Sequence, residues 1–308
     1  MKHFSAIRIA GAGVVAASLA WLAAGCETLD QLTELGTGVA VAAGGLSEEQ
    51  AGSINRTASA LGKAIDSITP EQEYYIGRTV AATVLVGYKP KTTQELNAYV
   101  NQVGQSLALF STKPETFGGY HFLVLDSKDI NAFAAPGGLV LVTSGLLNCC
   151  QTEDELAAVL AHEIGHVEKQ HGLRAIKTGR LSSAMTILAV EAGKNLSGEN
   201  LAEVTKAFDE SINDITSTLV NSGYSRKLEY EADAAGIEIL KKSGYQPGAL
   251  VAMLENMEKS WDPSRHDFAA THPPPADRIA QLKKLGVTST VASTNSRQKR
   301  FLAAAKAL

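Results

Sequence analysis

The run Ala161-His162-Glu163-Ile164-Gly165-His166 sets two histidines four positions apart in a segment patterned as a helix. Positions i and i+4 share one helical face, so His162 and His166 aim two imidazoles at one point. That is a pair of ligands a tetrahedral Zn²⁺ accepts. Glu163 adjoins a ligand without being one of the pair, and it is placed to take a proton from a water activated by the metal. A catalytic zinc needs a third protein ligand and an open position, so the fold must bring a further donor to this face. The expectation is a zinc-dependent hydrolase, and among these a protease.

The candidate for the third ligand lies in Glu229-Tyr230-Glu231-Ala232-Asp233. Glu229 and Asp233 are again four apart on an expected helix, capped by Ser225 and closed by Gly244. Glu229 completes a two-histidine, one-carboxylate set, and Asp233 can accept the second ring N–H of a ligand histidine and fix its tautomer. Glu231 falls off that face and reads as solvated.

The surroundings of the motif read as α+β, mostly helical, with a small sheet beside the motif helix. Thr69-Pro70-Glu71-Gln72 is a capping box opening a helix to about Gly87. A second helix covers about Thr92 to Phe110, with Leu96, Val100, Val103 and Leu107 on one face. His121–Leu125, Asn131–Ala135 and Leu139–Thr143 read as extended, with turn chemistry at Pro136-Gly137-Gly138. Thr152-Glu-Asp-Glu155 is a second capping box, opening the motif helix from Glu153 to about His171. Residues 172–223 read as looser helix. Leu181–Val190 is mildly apolar, and an amphipathic stripe runs from Leu201 to Val220. That stripe reads as an ordinary packing face, or as a lid over the site or a membrane-surface contact. Helices then follow to about Lys242, from Gln246-Pro247 to about Lys259, and over Pro275–Leu285.

With 308 residues and 45% apolar content the chain can bury a real core. Its net charge of −4, with no basic cluster before Arg297, argues against a nucleic-acid face. Lys2 and Arg8 precede an apolar and small-residue run, Ile9–Ala24, ending in Leu22-Ala23-Ala24-Gly25-Cys26. This reads as a lipoprotein signal over residues 1–25 with acylation at Cys26, although Ala23 stands where leucine is usual. Glu27, rather than Asp, favours sorting to the outer membrane. No other stretch is long and apolar enough to span a bilayer. Residues 26–67 read as a flexible tether, 68–286 as the metallopeptidase domain, and 287–308 as a polar and basic tail in which Arg297 and Arg300 are solvated or face an anionic membrane. Cys149 and Cys150 are adjacent, which strains a mutual disulfide, and read as small buried residues or a redox-sensitive pair. His121, His171 and His266 read as structural or solvated, His171 as a cation suited to a helix C-terminus.

Three segments in this order, His162-Glu163-x-x-His166, Glu229-x-x-x-Asp233 and Thr271-His272-Pro273 followed by Arg278-Ile279, resemble the CAAX-prenyl-protease/HtpX-like zinc metallopeptidases. Asn131-Ala-Phe-Ala-Ala-Pro-Gly-Gly138 is similar to the segment before the motif in the soluble periplasmic lipoprotein branch, BepA-like and LoiP-like. The resemblance covers about residues 68–286 and implies a gluzincin-like zincin domain. It implies one zinc on His162, His166 and Glu229, Glu163 as general base and Asp233 behind the ligands. It implies that His272 approaches the metal as a regulatory fourth ligand or a transition-state helper, and that Arg278 stands near the site; the expected catalytic set is Glu163, His272 and Arg278, with His272 or Arg278 stabilising the oxyanion. It also implies that the Asn131–Leu141 strand, with Asn131, Gly138 and Leu139, is the edge on which an extended substrate pairs. The membrane-spanning helices and the helical-repeat domain of other members have no counterpart in the sequence.

The expected activity is that of an envelope endopeptidase acting on unfolded or misassembled envelope proteins. The alternatives are a chaperone-like quality-control factor whose protease site is latent, and a protein with a structural zinc. The last does not explain Glu163 beside its ligand. The oligomeric state is open.

Overall fold

The computed structural model describes residues 68–175, 198–260, 272–289 and 293–308. Expectations for residues 1–67, including Cys26, and for Leu181–Val190, His266 and Thr271 lie outside these. Contacts divide the chain between Ser67 and Ile68, and the unit that follows is the one described.

Helix α1, Pro70–Gly87, opens as its sequence dictates. The Thr69 hydroxyl accepts from the Gln72 amide, the Gln72 side chain accepts from the Thr69 amide, and Pro70 takes the first turn. Helix α2, Gln94–Ala108, buries the expected stripe of Leu96, Val100, Val103 and Leu107. Strands β1 (His121–Leu125), β2 (Ala132–Ala135) and β3 (Leu139–Thr143) form one sheet in the order β1-β3-β2. β1 runs parallel to β3, and β2 antiparallel to it.

The order of the strands corrects one expectation. Asn131–Leu141 is not one edge strand. It is broken at Pro136–Gly138, where Gly137 (φ 77°) and Gly138 (φ 96°) take left-handed conformations that a β-carbon opposes. Leu139 then enters the central strand and is flanked by His121 on one side and Ala135 on the other. Leu139 and Gly138 therefore offer no free edge. Asn131 is buried and turns its Oδ1 to the Ala132 amide. The outer edge of β1 is occupied too: Asn97 and Asn101 of α2 accept from the Val124 and Phe122 amides. Among the described residues the outer edge of β2 pairs with no strand, and its four residues are buried.

After the short helix α3 (Ser144–Cys149) comes the motif helix α4, Glu153–Glu168. Its capping box is half formed. The Thr152 hydroxyl accepts from the Glu155 amide, but the Glu155 carboxylate accepts from the Gln151 amide instead of that of Thr152. The helix also ends earlier than its polar pattern suggests, because Gln170 adopts a left-handed φ of 54°. His171 begins a separate turn, α5 (His171–Arg174), and so is not at the C-terminus of the motif helix.

Helix α6 (Gly198–Ser217) passes into a π turn at Thr218–Ser222, with Ile212, Ile215 and Leu219 buried. Helices α7 (Arg226–Ser243), α8 (Gly248–Ser260) and α9 (Pro275–Lys284) follow. α7 has the Ser225 cap and a left-handed Gly244 at its end, as expected. Residues 295–305 are helix α10, not a loose tail. Phe301 of α10 is buried, Arg297 pairs with Asp154, and Arg300 pairs with Glu153. The cluster assigned to solvent or membrane thus holds the N-terminus of α4.

α4 is buried on all sides between the sheet and the later helices. Ala157, Ala158, Leu160, Ala161 and Ile164 are fully enclosed. The result is the expected mostly helical α+β domain with its sheet beside the motif helix. Among the described residues no helix is long and apolar enough to cross a membrane. Cys149 and Cys150 are both free thiols, and burial pushes the Cys150 thiol well above its ordinary range, which makes it an inert core group.

Candidate metal centre

The site begins with two glycines. A β-carbon on Gly165 of α4 would lie 2.8 Å from the Ala232 carbonyl oxygen, and one on Gly236 of α7 would lie 3.1 Å from the His162 amide nitrogen. The two backbones therefore approach more closely than larger residues permit. Short carboxylate side chains on α7 can then reach the imidazoles of α4.

The ligand atoms converge at metal-ligand spacing. His162 Nε2 and His166 Nε2 are 3.1 Å apart, and they lie 3.5 and 3.4 Å from the two carboxylate oxygens of Glu229. Ligands about 2.0–2.1 Å from a tetrahedral ion stand roughly 3.3–3.4 Å from one another. His272, from the segment before α9, adds its Nδ1 at 2.8 Å from Glu229 Oε1. His162, His166, Glu229 and His272 form a buried group that can hold a metal ion.

Electrostatics fit a cation. Glu163, Glu229 and Asp233 are buried around one buried guanidinium, that of Arg278. Ionised, and with the histidines neutral as ligands, they leave two negative charges in a buried site, and a divalent ion balances them. Burial alone would raise the Glu229 carboxyl, yet His272, His162 and His166 outweigh it and hold it well below its usual range. Asp233 is likewise held down against burial by Arg278 and His162. Burial raises Glu163, opposed by His162 and His272.

Behind the ligands, His162 Nδ1 is 2.9 Å from Asp233 Oδ1. Arg278 grips the same carboxylate through two donors, Nε at 2.9 Å, and its third nitrogen is 3.4 Å from Glu229 Oε2. Glu163 lines a small cavity walled by Ala132 and Ala134 of β2, Leu219 of the π turn, Tyr224 and His272. The candidate base therefore shares this cavity with β2.

His171 is structural rather than solvated, and Glu231 departs from its expected setting. His171 Nδ1 stands 2.8 Å from His166 Nδ1, so this histidine belongs to the site's support. Glu231 is half-buried and paired rather than fully solvated: it meets His171 Nε2 at 3.2 Å and Arg174 at 2.9 Å, and these partners draw its carboxyl down to about 2 against the effect of burial. Tyr224, which sequence patterns do not single out, stacks on His166 with ring centroids 4.4 Å apart.

A helix-borne H-E-x-x-H pair meeting a glutamate from a second helix defines a metallopeptidase site. The sequence profile of peptidase family M48 matches residues 94–286. The chain is 27% identical over 238 residues to the beta-barrel assembly-enhancing protease of Escherichia coli K12, covering 77% of this chain and 47% of that protein. It is 26% identical to the metalloprotease LoiP of the same strain, covering 88% of this chain and 94% of LoiP. To the mitochondrial metalloendopeptidase OMA1 of Schizosaccharomyces pombe it is 31% identical, covering 65% and 55%. The chain spans about half the length of the assembly-enhancing proteases it matches. It belongs to peptidase family M48.

Proposed function

We propose that the protein is a zinc-dependent endopeptidase of the bacterial envelope that cleaves misfolded or misassembled envelope proteins. The observation that carries this reading is the tetrahedral spacing of His162, His166 and Glu229, with Glu163 facing the cavity beside β2. These three residues would hold the ion. A bound zinc supplies Lewis-acid polarisation of the scissile carbonyl and a lowered pKa for water.

The chain's own groups do the rest. Glu163 takes the proton of the attacking water and hands it to the leaving amine. Asp233 accepts from His162 Nδ1–H and fixes that ring, and Arg278 holds Asp233 in place, which makes Arg278 a positioning residue. His272 rests on Glu229 as a fourth donor. Productive substrate binding displaces it, and its imidazole N–H can then serve the developing oxyanion. An extended substrate pairs with the outer edge of β2, where main-chain hydrogen bonds give broad specificity. The leader ending at Cys26 supports a lipid-anchored, periplasm-facing protein, outer membrane rather than inner.

The test is cleavage of an unfolded protein such as casein, with zinc content by elemental analysis, beside Glu163→Gln. One zinc per chain in both proteins, with cleavage reduced about 10²–10⁴-fold in the variant, is the expected result. A correctly folded protein without zinc would sink the reading.

A further inference from the structure

We propose that His171, held by Glu231 and Arg174, is the positioning residue that sets the tautomer of His166 and so prepares its Nε2 for metal. The inference rests on the metal-site reading above.

Two imidazole nitrogens 2.8 Å apart, His166 Nδ1 and His171 Nδ1, share one hydrogen: one ring donates and the other accepts. The far side of His171 decides which. Its Nε2 faces Glu231 Oε2 at 3.2 Å, and that oxygen also receives Arg174 at 2.9 Å. A carboxylate held by a guanidinium accepts only, so His171 carries its hydrogen on Nε2 and presents a lone pair at Nδ1. His166 must then donate from Nδ1. Its Nε2 is left as a lone pair aimed at His162 Nε2 and Glu229, which is the ligating form. His162 reaches the same tautomer directly through Asp233, whereas His166 reaches it through one more ring.

The backbone is built for this contact. On an unbroken helix residue 171 would sit about 500° around from residue 166, or 140° to one side, out of reach of its ring. Gln170 prevents that. It is the single non-glycine residue with left-handed φ among the described residues, a conformation that costs about 1–2 kcal/mol. The turn it makes brings His171 back against His166, and Tyr224 packs on both rings, at 4.4 and 5.7 Å between centroids.

The test is zinc affinity by chelator competition in the full protein, with the visible spectrum of the Co²⁺ form as a second readout. His171→Asn and His171→Gln are the informative pair. Asparagine puts an acceptor oxygen where Nδ1 stood, and glutamine puts its amide where Nε2 stood. The Asn variant is expected to stay within about threefold of wild type, and the Gln variant to lose about 10–100-fold with an altered cobalt spectrum. Equal affinities in the two variants would overturn the inference alone. A wild-type protein that takes up no zinc would overturn the metal-site reading and the inference with it.

Discussion

Gly165 and Ala232 meet backbone to backbone: a β-carbon on Gly165 would sit 2.8 Å from the Ala232 carbonyl oxygen. The middle of the H-E-x-x-H motif is therefore a packing constraint as well as a spacer. A Gly165→Ala substitution forces α4 and α7 apart and carries Glu229 away from the histidines. The expected cost is about 1–3 kcal/mol of stability, together with weakened zinc retention. Gly236→Ala, with 3.1 Å available, should cost less on both counts. Urea unfolding and chelator competition on the two variants check the order.

Removal of metal should expose the site's charge imbalance. With Glu163, Glu229 and Asp233 set against Arg278, the stripped protein should melt lower than the loaded one. Free zinc at 100 times its Kd should stabilise by about 2.7 kcal/mol. Glu229→Gln removes one charge and one ligand, so its melting temperature should respond much less to zinc. Thermal scans with chelator and with zinc read both effects.

Glu153 begins the motif helix fully buried, and four donors reach it: Tyr99, Tyr245 and the Nε and a terminal nitrogen of Arg300. Arg300→Ala takes away its cation and should lower stability by about 1–2 kcal/mol, less than a fully buried pair because Arg300 is half exposed. Arg300→Gln, which keeps a donor, should recover part of the loss. Denaturant midpoints decide between this and a solvated tail, for which neither change would register.

The same cluster predicts an alkaline transition. Burial, with the Glu153 charge beside it, pushes the Tyr245 phenol up to about 12 from its ordinary 10. The folded state therefore favours the neutral phenol. That contribution is fully present below pH 10 and is lost as pH rises through 12. Stability measured from pH 9 to 12 should fall across that window, and Tyr245→Phe should flatten the profile. A variant profile as steep as the wild type would contradict the assignment.

Much of this was legible in the residues because it is local. The Thr69–Gln72 box, the Leu96–Leu107 stripe and the Gly244 cap follow from periods and capping rules acting within a few positions. The convergence of His162, His166 and Glu229 was legible because two i,i+4 pairs each fix a face. What escaped depends on contacts that no period encodes. Glu231 looks exposed on the helical wheel of α7, and only the turn at Gln170 brings His171 and Arg174 to it. Arg297 and Arg300 look like a basic tail until their buried partners, Asp154 and Glu153, are known. Leu139 reads as an edge residue in sequence because the order of three strands is a tertiary fact.

The Glu153–Arg300 pair joins residues 147 positions apart. A ribosome delivers the helix with the two histidines long before it delivers the arginine that fastens that helix's first turn. During synthesis the nascent polypeptide therefore carries its histidine motif on an unfastened helix, and the fastening arrives late. The order of arrival leaves the first turn of that helix to be secured only once α10 has been made.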